Sequence, residues 1–172
     1  MKHVLRSSRL VLRPCRHTDV DLLLEHWTHT LVRRFLFDDQ VTDRPTIEDF
    51  VKRSNAMFRQ HSYGLWLLTA KENREFRGVC GLWESEFAKR DLLFSIAPSH
   101  WGQGLAVESA KRVLRYAFDD LALPLIAASV DELNSKSIKV LESLGMSRRE
   151  ACIRDAKPLR CYAIRRDEYH MP

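Results

Sequence analysis

Long apolar runs are absent from this 172-residue chain: no stretch approaches the roughly 20 consecutive apolar residues that a membrane span requires. The opening Met1-Lys2-His3-Val4-Leu5-Arg6 lacks the apolar core of a secretory signal and turns charged again at once. A cytoplasmic protein with no membrane partner is therefore expected. Cysteine is scarce. Cys15, Cys80, Cys152 and Cys161 stand far apart, with no CxxC pair and no Cys/His cluster at zinc spacing, so no metal site is expected. The four read as reduced, mostly buried small apolar residues. A disulfide between Cys152 and Cys161 stays open if the two face each other on adjacent strands, although a cytoplasmic setting argues against it. Glycine numbers only six, and there is no Gly/Ser linker, repeat or low-complexity tract to mark a domain boundary. One domain over 1–172, with a core of about 8–168, is the expectation.

Hydrophobic residues make up 45% of the chain and charged residues 30%, enough for a real core and a solvated exterior. The net charge of +5 points to an anionic partner, and a phosphorylated cofactor or a nucleic acid satisfies it equally.

Polar and apolar residues alternate in Arg9-Leu10-Val11-Leu12-Arg13, which predicts a strand closed by Pro14. Thr18 or Asp19 can cap a helix with Val20, Leu23, Leu24, Trp27 and Leu31 on one face. Thr46 can cap a second, with Ile47, Phe50, Val51, Met57 and Phe58 inward. The period then changes. Segments 65–70, 76–83 and 91–97 are short and apolar between charged clusters, as in an antiparallel meander, and Pro98 ends the last. A long helix is predicted over about 104–121, with Ala106, Ala110, Val113, Leu114, Ala117, Phe118 and Leu121 as its buried stripe. A strand follows over 125–130, then a helix capped by Asn134 or Ser135, with Ile138, Leu141 and Leu144 inward and Gly145 as its stop. Strands over about 146–154 and 160–166 complete the chain. The order β-α-α-β-β-β-α-β-α-β-β implies an α/β (α+β) domain: a mixed, mainly antiparallel sheet of six to seven strands flanked by about four helices.

The most informative residues join the meander to the longest helix: Pro98-Ser99-His100-Trp101-Gly102-Gln103-Gly104-Leu105-Ala106. A helix start presents backbone N–H groups with no internal partner and the positive end of the helix dipole. Two glycines there remove obstructing side chains and permit the backbone angles of an anion-binding nest. A pyrophosphate can be held in this way largely without charged side chains. The plainer alternative is that Gly102 and Gly104 only shape the connection. The chain contains no GxxxxGK[ST], and the turn is not GxGxxG after a first strand, which argues against a P-loop and a dinucleotide-binding unit.

Trp101-Gly102-Gln103-Gly104-Leu105-Ala106 resembles the cofactor motif of the GNAT acetyltransferases, Gln/Arg-x-x-Gly-x-Gly/Ala, with Trp101 at the first position as the departure. Three further segments agree in order: Ser8 to Pro14, Asp131 to Gly145 containing Asn134-Ser135-Lys136-Ser137-Ile138, and Tyr162 to Arg166. The resemblance is strongest to the branch that contains the ribosomal-protein N-acetyltransferases and runs over nearly the whole chain. It implies transfer of an acetyl group from acetyl-CoA to a primary amine, by direct attack on the thioester. The acceptor would be a protein N-terminus or a small molecule, and the enzyme a monomer or homodimer.

Such chemistry needs a neutral amine, a donor for the developing oxyanion and a hydrogen bond for the departing thiolate. The resemblance assigns backbone contacts with the cofactor to Phe94, Ser95 and Ile96. It places Trp101, Gly102, Gln103, Gly104, Leu105 and Ala106 at the pyrophosphate, and Asn134 against the pantetheine arm. Asn134 is equally an ordinary N-cap. Where many members carry a tyrosine acid this chain has Leu141, which leaves Ser137 as the candidate donor to the sulfur. Glu84 is the candidate base, with Asp91 as a second; for both, a solvated strand-end carboxylate is the alternative. His100 reads as structural or phosphate-facing, and Lys111 and Arg112 can meet the adenosine phosphate. The acidic pair Asp38 and Asp39, in the loop 31–44, can attract a cationic amine. A competing function is a basic module for RNA or another acidic partner with a degenerate CoA site. The scattered arginine pairs show no aromatic–basic pattern of an RNA-binding sheet.

Overall fold

A computed structural model describes residues 3–86, 88–150, 152–154 and 157–170. Leu10 and Leu12 are buried and point to one face, which makes Leu10–Pro14 a strand (β2) rather than a loop. It pairs with the short β1 (Leu5–Arg6) on one side and with β3 (Leu65–Ala70) on the other. β4 (Phe76–Trp83) and β5 (Asp91–Ile96) extend the sheet antiparallel. β6 (Leu125–Asp131) then runs parallel to β5, and β9 (Lys157–Arg165) antiparallel to β6. Two short strands, β7 (Ser147–Arg148) and β8 (Cys152–Arg154), both pair with β9. The described sheet has nine strands in the order β1-β2-β3-β4-β5-β6-β9-β7, with β8 off that path. The count exceeds the expected six to seven because the strand expected over 146–154 is two short strands, β7 and β8, and because β1 spans two residues, too few for alternation to register.

Five α-helices cover this sheet among the described residues: α1 (Val20–Thr28), α2 (Thr30–Leu36), α3 (Arg44–His61), α4 (Leu105–Arg115) and α5 (Ser135–Ser143). They divide between its faces. Cys80 on β4 lies against Ser109 of α4, whereas Ser95 on β5 bonds His26 and Trp27 of α1. Cys80 lies opposite Phe94 in the ladder, so Phe94 and Ser95 point to opposite faces and the two helix sets do too. α4 buries Leu105, Ala110, Val113 and Leu114, and continues as one turn of π-helix, Tyr116–Asp120, that buries Ala117 and Phe118.

Three expectations change. The first predicted helix breaks at His29, whose extended ψ of 127° starts α2, and Leu31 is 49% exposed instead of inward. The segment expected as a loop is therefore partly helical. The cap of α3 is Asp43, which accepts from Thr46 N–H at 3.0 Å, with Pro45 in the first turn. Finally, Cys15 and Cys80 are free and buried, but Cys161 is disulfide-bonded, against the expectation of four reduced thiols. The side chain of Cys152 lies outside the described residues.

Candidate active site

The ladders on the two sides of β5 are unequal. Toward β4 the register is continuous from Trp83↔Asp91 to Gly78↔Ile96. Toward β6 it consists of Asp91↔Ala127 alone. The next rung of a parallel ladder would carry Ser129 N–H to the Leu92 carbonyl. The Asp91 carboxylate takes it instead, accepting from Ser129 N–H at 3.1 Å and from Ser129 Oγ at 3.0 Å. Asp91 is 7% exposed, so it is a wedge at the closed end of a split in the sheet and not a solvated strand end.

Backbone direction follows from two flanking bonds. Ala97 N–H donates to the Arg77 carbonyl on the β4 side, and Ala127 N–H donates to the Arg90 carbonyl on the β6 side. Because backbone groups alternate sides along a strand, 91, 93 and 95 turn toward β4, and 92, 94 and 96 toward β6. Phe94 N–H and C=O thus open into the split with no strand opposite. Ile96 turns the same way, and its carbonyl accepts from Trp101 Nε1 at 2.7 Å. Ser95 turns its backbone to β4 and its side chain to α1.

At the open end of the split lies the predicted turn. Pro98–His100 forms one 3-10 turn, Gly102 and Gly104 have φ of +76° and +74°, and α4 starts at Leu105. These positive angles are what the glycines supply; a side chain at Gly102 would meet nothing within 4 Å. Gly102, Gln103 and Gly104 are exposed, while Leu105 buries its side chain and Ala106 is half-buried. Trp101 N–H donates to Pro98, Gln103 N–H closes the turn over Trp101 and Gly102, and Glu108 N–H donates to Gly104; within the described residues no backbone N–H of Gly102 or of Gly104 to Val107 donates. Five free amides among the described residues at a helix N-terminus, with open space above Gly102, fit a diphosphate.

β6 delivers α5 to the same end of the split. Asn134 caps it, its Oδ1 accepting from Ser137 N–H at 3.1 Å. Asn134 Nδ2 and Ser137 Oγ have no partner among the described residues, and both residues are half-buried. Lys136 Nζ lies 4.4 Å from the centroid of the Trp101 ring, which ties the two helix starts together. Leu141 is 1% exposed and belongs to the core. Glu84, exposed and one residue beyond β4, stands instead beside Asp91 at the closed end. The five steps of β5 separate it from the turn by roughly 17 Å at about 3.3 Å per residue. The structure thus brings Phe94, Ile96, the turn, Asn134 and Ser137 around one opening, with Glu84 at its far end.

Residues 9–147 match the family described as the Acetyltransferase (GNAT) domain. The chain belongs to the GNAT acetyltransferases. It is similar to the uncharacterized N-acetyltransferase p20 of Bacillus licheniformis, 29% identical over 88% of this chain and 85% of that one. Its fold is similar to that of an acetyltransferase from Agrobacterium tumefaciens, with a TM-score of 0.82 at 24% identity, covering 94% of this chain and 93% of that one. It is also similar in fold to RimL, a ribosomal L7/L12 α-N-protein acetyltransferase solved with coenzyme A, at a TM-score of 0.77 and 14% identity over 94% and 97% of the chains. This GNAT protein is an acetyl-CoA-dependent N-acetyltransferase that acetylates amines. The alternative of a basic RNA-binding module finds no support in these relatives. None of the described helices is long and apolar enough to cross a membrane.

Other candidates have local partners. His100 Nε2 accepts from Arg77 Nη1 at 2.8 Å, and Arg77 also pairs with Glu75 at 2.8 Å. Arg112 Nε donates to the Arg6 carbonyl at 3.1 Å, whereas Lys111 is exposed. Asp39 pairs with Arg33 at 3.3 Å, so its charge is already answered within the loop.

Two clusters escaped the sequence reading. His26 Nε2 lies 3.0 Å from Ser95 Oγ and 3.2 Å from the Ser95 carbonyl, and Trp27 Nε1 donates to the same Oγ at 3.2 Å. Burial pushes the His26 imidazole down to about 4, against the opposing pull of the Ser95 carbonyl, which keeps it neutral. Glu108 forms the other cluster, accepting from Ser7 Oγ at 2.7 Å, Arg9 N–H at 2.7 Å and Arg9 Nε at 2.6 Å. Burial opposes its ionisation, but these bonds prevail and hold its carboxyl below the usual range. A signal for either is hard to find in sequence, since Arg9 and Glu108 are 99 positions apart.

Proposed function

We propose that acetyl-CoA is held with its diphosphate on the amides of Gly102 and of Gly104 to Val107 and its pantetheine arm in the split, against the unpaired backbone edge of Phe94 and the Ile96 N–H. The observation that carries this reading is the one-rung join between β5 and β6, which withholds a partner strand from Phe94. Trp101 and Gln103 shape the turn, Leu105 anchors it to the core, and Ser95 fixes β5 from the α1 side. Asn134 Nδ2 donates to the pantetheine arm.

Acetyl-CoA supplies the thioester. Phe94 N–H donates to its carbonyl oxygen and favours the charge that develops there on amine attack. Ser137 Oγ–H donates to the departing sulfur. Glu84 receives the amine proton, directly or through water. An α-amino group, with an ordinary pKa of about 8, leaves enough neutral amine for attack without a strong base. We infer a protein N-terminal α-amine or a small-molecule amine as acceptor, in a cytoplasmic single-domain enzyme that acts as monomer or homodimer.

Titration calorimetry with acetyl-CoA tests the site. Wild type is expected to bind saturably, and Gly104→Glu, which adds a carboxylate at the anion nest, to bind roughly 100-fold more weakly or not at all. Equal binding by the two proteins sinks the proposal. A turnover screen against ribosomal N-terminal peptides and small amines then identifies the acceptor class.

A further inference from the structure

The turn carries no charge of its own. From Gly102 to Val107 every side chain is neutral, and the first motif position is Trp101, whose indole N–H is engaged by the Ile96 carbonyl. A cation comes instead from β2's end of the sheet. Arg9 Nη2 lies 3.7 Å from the position a Cβ would take on Gly104, the nearest heavy atom to that glycine's open side.

The guanidinium is oriented from behind. Its Nε donates to Glu108 Oε2 at 2.6 Å, while Glu108 Oε1 is occupied by Ser7 Oγ and by Arg9's own N–H. This arrangement neutralises Glu108 at the start of α4, where a bare carboxylate would repel a phosphate. It also leaves the two Nη groups without a partner among the described residues. An arginine fork fixed through Nε loses little further freedom when its Nη groups bind an anion. Among neighbouring cations, Arg77 is committed to Glu75 and His100 and Lys136 to the Trp101 ring, while Arg112 is tethered through Nε to the Arg6 carbonyl with its Nη1 buried.

We propose that Arg9 is a diphosphate-binding residue, supplying over Gly104 the charged side chain that the turn lacks, with Glu108 as its positioning residue. The inference rests on the acetyl-CoA reading of the turn.

Calorimetry on the full chain with coenzyme A and with dephospho-coenzyme A, which keeps the diphosphate but lacks the 3′-phosphate, tests it. Arg9→Gln is expected to weaken both ligands by the same factor, about tenfold. Equal affinity of wild type and Arg9→Gln for both ligands overturns the inference while leaving the acetyl-CoA site intact. A loss seen with coenzyme A and absent with dephospho-coenzyme A also overturns it, because Arg9 would then read the 3′-phosphate. Wild type that binds neither ligand defeats the acetyl-CoA site itself. Should Arg9→Gln fail to fold, Arg9→Lys keeps the charge beside Glu108 without the fork, and is expected to show the same ligand-independent loss, several-fold in size; no loss overturns the inference.

Discussion

The two edges of β5 have opposite fates. Toward β4 the strand is laddered along its whole length, and on the α1 face His26 and Trp27 clamp its Ser95. Toward β6 it is joined by a single rung, beyond which the Asp91 carboxylate captures the Ser129 amide that would have continued the ladder. The difference shows how a sheet acquires a binding edge. Hydrogen-bonding groups remain available at Phe94 because the opposing strand is actively diverted, while the anchored edge keeps those groups in register.

The largest effect is expected on the anchored side. His26 has an ordinary pKa of 6.5 and a folded value of about 4. Above pH 6.5 it is neutral in both states and contributes nothing to pH dependence. As pH falls toward 4 the unfolded chain takes up a proton that the folded one refuses, so stability declines by about 3 kcal/mol and then levels. The difference between wild-type and His26→Gln urea denaturation curves over this range isolates that slope; parallel profiles would show that burial of His26 carries no such cost.

A smaller effect is expected at the diverted edge. Asp91→Ala strands the Ser129 amide or lets β5 and β6 zip together, with a stability loss of about 2 kcal/mol and weaker coenzyme A binding. Asp91→Asn keeps an acceptor and should lose less of both. If Asp91→Ala binds coenzyme A like wild type, the wedge does not hold the split open. The smallest effect concerns chemistry at the opening. Ser137→Ala should lower kcat about tenfold, near 1.4 kcal/mol, with KM for acetyl-CoA little changed. Unaltered turnover removes Ser137 from the reaction.

Much of this arrangement was legible in the residues. Pro98, the spaced glycines and the apolar stripe of Ala110, Val113 and Leu114 define strand, turn and helix by local rules, and local rules govern those elements. Asn134 likewise advertises its cap. The break at His29 did not show, because a histidine ring accepting from Leu31 N–H at 3.2 Å is an unusual cap and the apolar period runs on through it. Neither did the role of Asp91. A carboxylate at a strand start looks solvated until the strand that meets it is known, and β6 begins more than thirty residues later. Arg9, Glu108, His26 and Ser95 fall under the same rule: their partners are set by topology, which no local pattern encodes.

The single stitch at Asp91↔Ala127 also has a mechanical meaning. A sheet continuous on both sides of one rung and open beyond it is two stiff plates sharing a seam. Breathing should be cheapest along that seam, so the amides of Phe94 and Ile96 should exchange with deuterium faster than their β4-facing neighbours. A thioester arm lying in the seam would then close it as a missing strand does, slowing exchange there first.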